Sequence, residues 1–98
     1  MMDNKLIYEW DEEKRQKNIN ERGLDITVLA PLVFSDPNVV IEQNNKLDYG
    51  EDRFRAYGLV EDLRLCVCFT MRENVVRLIT IFKLKKKDWG KYYERKNN

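Results

Sequence analysis

Arginine is the side chain in this sequence best suited to holding a charged group. Five arginines lie within three consecutive apolar stretches or at their ends: Arg53, Arg55, Arg64, Arg72 and Arg77. A planar guanidinium group donates paired, charge-assisted hydrogen bonds to phosphate oxygens. Whether these groups act together depends on the elements that place them.

The apolar stretches predict three β-strands, at about Arg53 to Val60, Leu63 to Met71 and Val75 to Leu84. If Glu61-Asp62 and Glu73-Asn74 are two-residue turns, the turns fix the register of the strands. One face of the sheet then becomes a core. Its predicted cross-strand pairs are Val60 with Leu63, Gly58 with Leu65, Ala56 with Val67, Phe54 with Phe69, Met71 with Val76, Phe69 with Leu78, Val67 with Thr80 and Leu65 with Phe82.

The opposite face, here called the arginine face, collects the charged side chains. In the predicted register it carries Arg53 beside Thr70 and Arg77, Arg55 beside Cys68 and Ile79, Tyr57 beside Cys66 and Ile81, Arg64 beside Lys83, and Arg72 at one end. No carboxylate is predicted there, although the chain has 18 Lys and Arg against 17 Asp and Glu. This sorting predicts a polyanion site, and single-stranded RNA is favoured because Tyr57 offers a ring for base stacking. The alternative is a solvated sheet face whose arginine stems cover the two isoleucines.

The remaining sequence predicts two helices and two short strands around this sheet. Asp25 is the expected cap of the second helix, and Pro31 should kink or shorten that helix unless it is only a turn or two long. The basic C-terminal segment is expected to be a helix or a tail. The other predicted features are a strand at Leu6 to Trp10, a first helix capped by Asp11 and ending near Glu21 before Gly23, a strand at Val39 to Ile41, and a polar loop from Gln43 to Asp52. Helices packed on an antiparallel sheet define an α+β fold.

The first helix is polar nearly all round. It is therefore expected to lie on the surface, held mainly by Trp10 and Ile19.

Length and composition favour a single domain spanning residues 1–98, located in the cytoplasm, with neither a membrane span nor a signal peptide. Cys66 and Cys68 are interpreted as reduced thiols that serve as small apolar residues. The acids are scattered and the chain has no histidine, so neither a metal site nor another cofactor is expected.

The chain resembles the BrnT toxins of type II toxin–antitoxin pairs along nearly its whole length. The matching residues are Tyr8 to Lys14, Asn18, Gly23, Val33-Phe34, Asp36-Pro37, Asp48 to Arg53, Gly58, Thr70 to Arg72, Arg77 to Thr80, Lys83 and Tyr93-Glu94. Two segments depart from the pattern of relatives. Glu21-Arg22-Gly23 stands where relatives have Lys-His-Gly, and Phe82-Lys83-Leu84 differs after the last strand.

The resemblance implies a RelE-like fold, RNA cleavage that halts translation, and neutralisation by a BrnA-type antitoxin. Such assemblies hold two copies of each protein, and the antitoxin, rather than the toxin, binds the operator DNA.

The predicted mechanism is metal-independent attack of an RNA 2′-hydroxyl on its own phosphate. Three arginines, Arg53, Arg72 and Arg77, are expected to stabilise the developing charge, and Glu51 is the leading candidate for the general base. Tyr57 and Lys83 are the alternative bases. The residues expected to hold flanking RNA are Arg55, Tyr57, Arg64 and Lys83. A non-catalytic RNA- or protein-binding module, or a drifted inactive toxin homologue, is the alternative function.

Overall fold

The computed structural model describes residues 6–44, 50–90 and 92. Residues 45–49, within the predicted polar loop, and the predicted tail residue Tyr93 lie outside this range. The elements are β1 (Ile7–Glu9), α1 (Glu12–Arg22), α2 (Ile26–Phe34), β2 (Val40–Gln43), β3 (Arg53–Val60), β4 (Leu63–Arg72), β5 (Val75–Lys83) and a short 3-10 helix (Lys86–Asp88). Trp89, Gly90 and Tyr92 are helical as well. The α+β prediction is confirmed.

Both helices begin and end where local chemistry predicts. The Asp11 carboxylate accepts hydrogen bonds from the amides of Glu13 and Lys14, and Gly23 ends α1 with a φ of 69°. The left-handed conformation costs glycine little because glycine has no Cβ. Asp25 caps α2, which continues through Pro31 and ends only three residues later. No described helix is long and apolar enough to cross a membrane.

The five strands form one sheet in the order β1-β5-β4-β3-β2. Neighbouring strands are antiparallel except β1, which runs parallel to β5 and places Glu9 beside Arg77. The two-residue turns at Glu61-Asp62 and Glu73-Asn74 are confirmed. Every predicted pair between β3 and β4 is also confirmed.

The predicted pairing of β4 with β5 is correct only up to Leu78. A bulge opposite Cys68 and Phe69 inserts Ile79 as an extra residue, so Cys68 pairs with Thr80 and Leu65 with Lys83. One extra residue reverses the alternation of side chains beyond it. Ile81 is therefore in the core and fully buried, whereas the predictions of Phe82 in the core and Lys83 on the arginine face are wrong.

The main core lies between the sheet and the two helices. It includes Ile26, Ala30 and Val33 of α2, packed on strand residues such as Val67 and Leu78. Close packing explains why residue 58 is a glycine, since a Cβ at this position would lie 2.9 Å from a methyl group of Val33.

The other face of the sheet is not fully open. Tyr57 and Cys66 form a second cluster with Leu84 and Tyr92, and Trp89 packs against it. The C-terminal residues therefore cover part of the arginine face. The prediction that this whole face would be exposed was wrong, because the sequence pattern did not show the C-terminal segment folding back.

Polar contacts, more than apolar ones, hold α1 in place. Arg15 forms two hydrogen bonds with Asp25, of 3.0 and 2.9 Å, and Asn18 is the buried residue of the helix. Trp10, predicted to anchor the helix, is 40% exposed. Trp10 was misassigned because a polar helix was expected to depend on its few apolar side chains, whereas Ile19, the other predicted anchor, is half-buried.

Candidate functional site

A pocket of about 420 Å³ lies at the uncovered end of the arginine face, where β1 joins β5. We call it the terminal pocket. Its lining residues are Glu9, Glu51, Thr70, Met71, Arg72, Val75 and Arg77. Three of the four predicted catalytic residues, Glu51, Arg72 and Arg77, are therefore in one place.

The sheet register explains how the cationic side chains meet. Thr70 of β4 lies between Arg53 of β3 and Arg77 of β5, so the three side chains share one face. Arg72 follows two residues after Thr70, next to the turn that leads into β5, and therefore points to the same face. The three predicted arginines thus share one face, and two of them, Arg72 and Arg77, line the terminal pocket.

Acidic side chains also enter this region. Glu9 Oε1 lies 3.3 Å from Arg77 Nη1, and Glu51 Oε2 lies 3.7 Å from Arg53 Nη2. Glu42 of β2 accepts a hydrogen bond from the Tyr57 hydroxyl. The prediction of a face without carboxylates was therefore wrong, because β1 and β2 extend the sheet on both sides and each brings an acid.

Arg72 differs from its neighbours. It is exposed, and within the part of the chain that the structure describes it makes no ion pair. Within the described residues the Arg72 guanidinium is thus not ion-paired, although Glu9 and Glu51 line the same pocket. The terminal pocket can bind an anion through Arg72 and Arg77 while presenting Glu9 or Glu51 to accept a proton.

Tyr57 cannot take the role predicted for it. Its side chain is only 1% exposed, so the ring is unavailable for stacking on an RNA base. Its hydroxyl donates a 2.7 Å hydrogen bond to Glu42, and burial followed by this bond raises the pKa of Tyr57. A phenol with a raised pKa is also a poor general base at neutral pH.

The other residues predicted to hold RNA are dispersed. Arg64 lies with its Cζ 3.9 Å from the centre of the Trp89 ring, beneath the C-terminal segment. Lys83 pairs with Leu65 on the core side of the sheet. Only Arg55 remains near the pocket, since it lies two residues along β3 from Arg53. Of the four, Arg55 is thus the one placed to contact a ligand that extends from the pocket.

Cys68 lies opposite Arg55 in the sheet and is partly buried. A hydrogen bond from Cys66, together with the charges of Arg55 and Arg53, lowers the pKa of Cys68 to about 7. The hydrogen bond from Cys66 is the main cause of this lowering, and the two cations add to it because nearby positive charge favours the thiolate.

Glu9 is the pocket residue that sequence reasoning missed as part of the site. Its side chain is placed by the parallel pairing of β1 with β5, a long-range contact that local patterns do not encode. Its place in a matched family segment was the available signal. Within the described residues, no group of three or more His, Cys, Asp and Glu side chains could hold a metal ion.

The structure defines a small α+β protein with guanidinium groups and carboxylates in one pocket on a sheet face. The family comparison is more specific: residues 10–88 match the family described as "Ribonuclease toxin, BrnT, of type II toxin-antitoxin system". The chain belongs to this BrnT family of ribonuclease toxins, and membership implies an antitoxin partner. No curated protein matches the chain.

Proposed function

We propose that this protein is an active endoribonuclease toxin that cleaves RNA without a metal ion and so inhibits translation. The observation that carries the proposal is the terminal pocket, which brings Arg72, Arg77 and Glu51 together in a member of a ribonuclease family. We further propose that the toxin domain spans residues 1–98 and acts in the cytoplasm. Its antitoxin would be of the BrnA type, in an assembly of two copies of each protein, with operator DNA bound only through the antitoxin.

The proposed reaction is an internal transfer of the phosphoryl group. Glu51 takes the proton of the 2′-hydroxyl, whose oxygen attacks the adjacent phosphorus as the bond to the 5′-oxygen breaks. Water supplies the proton to that leaving oxygen. The products are a 2′,3′-cyclic phosphate and a 5′-hydroxyl end.

Arginines supply the electrostatic part of this reaction. Arg72 and Arg77 bind the scissile phosphate and stabilise the additional negative charge of the phosphorane. Arg53 holds Glu51 through their 3.7 Å contact, and Arg55 grips a flanking phosphate. Removing one preorganised donor to developing charge typically costs about 2.7–4 kcal/mol, or 100- to 1,000-fold in rate.

The test uses purified protein, total RNA and an excess of chelator. Wild-type protein should produce fragments that end in cyclic phosphates, whereas Arg72→Ala and Arg77→Ala should slow cleavage by about 100-fold or more. Lys85→Ala, at an exposed lysine outside the pocket, is the charge-matched control and should cleave normally. If the wild-type protein left the RNA intact, the proposed ribonuclease activity would be refuted.

A non-catalytic RNA-binding module is the alternative, favoured by the absence of histidine from the sequence. That module would shift RNA on a gel in a salt-sensitive manner and leave it intact. Expression with and without the neighbouring gene separates a toxin from a drifted homologue, because a toxin arrests growth only when expressed alone.

A further inference from the structure

The structure assigns a second phosphate-binding subsite to the junction between α1 and β5, next to the terminal pocket. This inference rests on the proposed function, since it extends the path of the bound RNA. It is carried by a separate cavity of about 260 Å³ whose lining residues are Lys14, Lys17, Asn18, Glu21, Arg22, Ile79 and Thr80.

The junction exists because β1 is shorter than β5. The pairing of β1 with β5 ends at Arg77. Beyond that residue, α1 lies beside the edge of β5 in place of a strand, and Arg22 Nη1 donates a 3.0 Å hydrogen bond to the carbonyl of Ile81. Side chains of α1 therefore cover this edge of β5 and leave a cavity between the helix and the strand.

The stripe of α1 that faces this edge is polar. Lys14, Lys17, Asn18, Glu21 and Arg22 follow the spacing i, i+3, i+4, i+7 and i+8, which in a packed amphipathic helix is ordinarily apolar. A helix with an apolar stripe would close against the sheet edge. Polar side chains instead leave a space suited to a charged ligand.

Charge determines what kind of ligand fits. The junction holds three cations, Lys14, Lys17 and Arg22, against the single carboxylate of Glu21. In the described residues none of the three cations forms an ion pair.

Arg22 is held in place by neutral groups. Besides the Ile81 carbonyl, its Nη1 donates bonds of 2.8 Å to Asn18 Oδ1 and 3.0 Å to Thr80 Oγ1. These partners fix the guanidinium without neutralising it. The junction is thus preorganised for an anion.

The junction continues the terminal pocket along one strand. Ile79 follows Arg77 by two residues, a distance of about 6.8 Å in an extended strand. The bulge places Thr80, the partner of Cys68, on the arginine face. An RNA whose scissile phosphate lies at Arg77 would therefore bring a neighbouring phosphate to Lys14 and Lys17.

Binding of two probes, followed by NMR of the backbone amides, tests this subsite. The probes are a hexanucleotide with 2′-O-methyl groups, which cannot be cleaved, and inorganic pyrophosphate. Both should shift the amides of Asn18, Ile79 and Thr80. The Lys14→Ala/Lys17→Ala double variant should bind the hexanucleotide about 10-fold more weakly. Losing the contact with one phosphate should also reduce the slope of log K against log salt by about 0.7.

The charge-matched control is Lys85→Ala/Lys86→Ala, at two exposed lysines outside the junction, and it should retain both shifts. If the hexanucleotide binds but the junction amides do not move, or if both double variants lose the same affinity, the subsite is refuted and the proposed function stands. If pyrophosphate binds at the junction while the hexanucleotide does not bind at all, the subsite is supported and the proposed function fails.

Discussion

Arg77 already has a partner before any ligand binds, because its guanidinium lies 3.3 Å from the Glu9 carboxylate. A phosphate bound to Arg77 therefore meets a group of its own sign. Both side chains are about half exposed, at 49% and 53%, so solvent screens the interaction and keeps it modest. Glu9 is thus expected to tune affinity for RNA downward.

The Glu9→Gln variant should bind non-cleavable RNA about 2- to 5-fold more tightly, which corresponds to removing roughly 0.5–1 kcal/mol of repulsion. Fluorescence anisotropy at fixed low salt measures the effect. Glu13→Gln changes the net charge equally on an exposed part of α1 outside the pocket and serves as the control. Equal affinities for the two variants would show that Glu9 does not face the bound phosphate.

The reactivity of Cys68 reports its surroundings on the arginine face, namely the hydrogen bond from Cys66 and the nearby arginines. Its alkylation by iodoacetamide should show a midpoint near pH 7, because a hydrogen bond from Cys66 and the charges of Arg55 and Arg53 lower its pKa to about 7. An ordinary thiol titrates at about 8.5. Peptide mass spectrometry across pH values of about 5 to 9 gives the midpoint. Arg55→Met should move it upward and Arg72→Met should leave it in place; an ordinary midpoint in the wild type would contradict the lowered pKa.

At the scale of elements, one carboxylate connects the two helices. Asp25 accepts a hydrogen bond from the Thr27 amide as the cap of α2 and also pairs with Arg15 of α1. The hydrogen bonds from Arg15 hold the pKa of Asp25 well below its usual range. A lowered folded-state pKa means that this pairing stabilises the fold above about pH 4 and that the stabilisation is lost as pH falls further.

Asp25→Asn should keep the cap but lower the free energy of unfolding at neutral pH by roughly 1 kcal/mol, and Asp25→Ala should cost about 1 kcal/mol more. Chemical denaturation at neutral pH and at about pH 3 measures both effects. The deficit of Asp25→Asn should shrink at the lower pH, because there the unfolded wild-type chain binds a proton at Asp25 that the folded protein does not bind. Asp11→Asn, at a cap whose carboxylate accepts from the backbone amides of Glu13 and Lys14, is the control. A deficit that stayed constant with pH would rule out the ion pair as its cause.

Local rules predicted most of the elements and half of the sheet register. The caps at Asp11 and Asp25, the stop at Gly23 and both tight turns depend on neighbours in sequence, and all were predicted correctly. The bulge at Ile79 was missed because a uniform register already gave a plausible core. Its cause is tertiary, since it allows Ile81 to be buried and places Thr80 within reach of Arg22.

As with the sheet register, about half of the candidate site could be predicted from local sequence patterns. The side of the sheet on which Arg53, Arg72 and Arg77 lie follows from the turns, so their grouping was anticipated. Glu9 and the burial of Tyr57 depend on contacts between distant parts of the chain. Strand alternation gave the face of Tyr57 but could not show that Tyr92 would cover that part of the face.

At the scale of the whole molecule, the sheet is covered on both sides, but by different parts of the chain. The helices cover one face, and the C-terminal residues Trp89 and Tyr92 cover part of the other. The Tyr92 hydroxyl donates a 2.8 Å hydrogen bond to Asp36, which also accepts from the Leu59 amide. Tyr92 thus bridges the sheet to the end of α2, and among the described residues neither Trp89 nor Tyr92 lines the terminal pocket.

This arrangement predicts that stability depends on Tyr92 even though it lies near the end of the chain. Tyr92→Ala should lower the free energy of unfolding by about 3–5 kcal/mol, because it removes a large ring that is 2% exposed from the cluster with Tyr57 and Cys66. Tyr92→Phe should cost only about 1.5–3 kcal/mol, since it keeps the ring and loses the bond to Asp36. Urea denaturation measures both values. Trp10→Ala, at an aromatic ring that is 40% exposed, is the control and should cost less than either. If Tyr92→Ala were as stable as that control, the C-terminal segment would not be packed on the sheet, and the arginine face would be open along its full length.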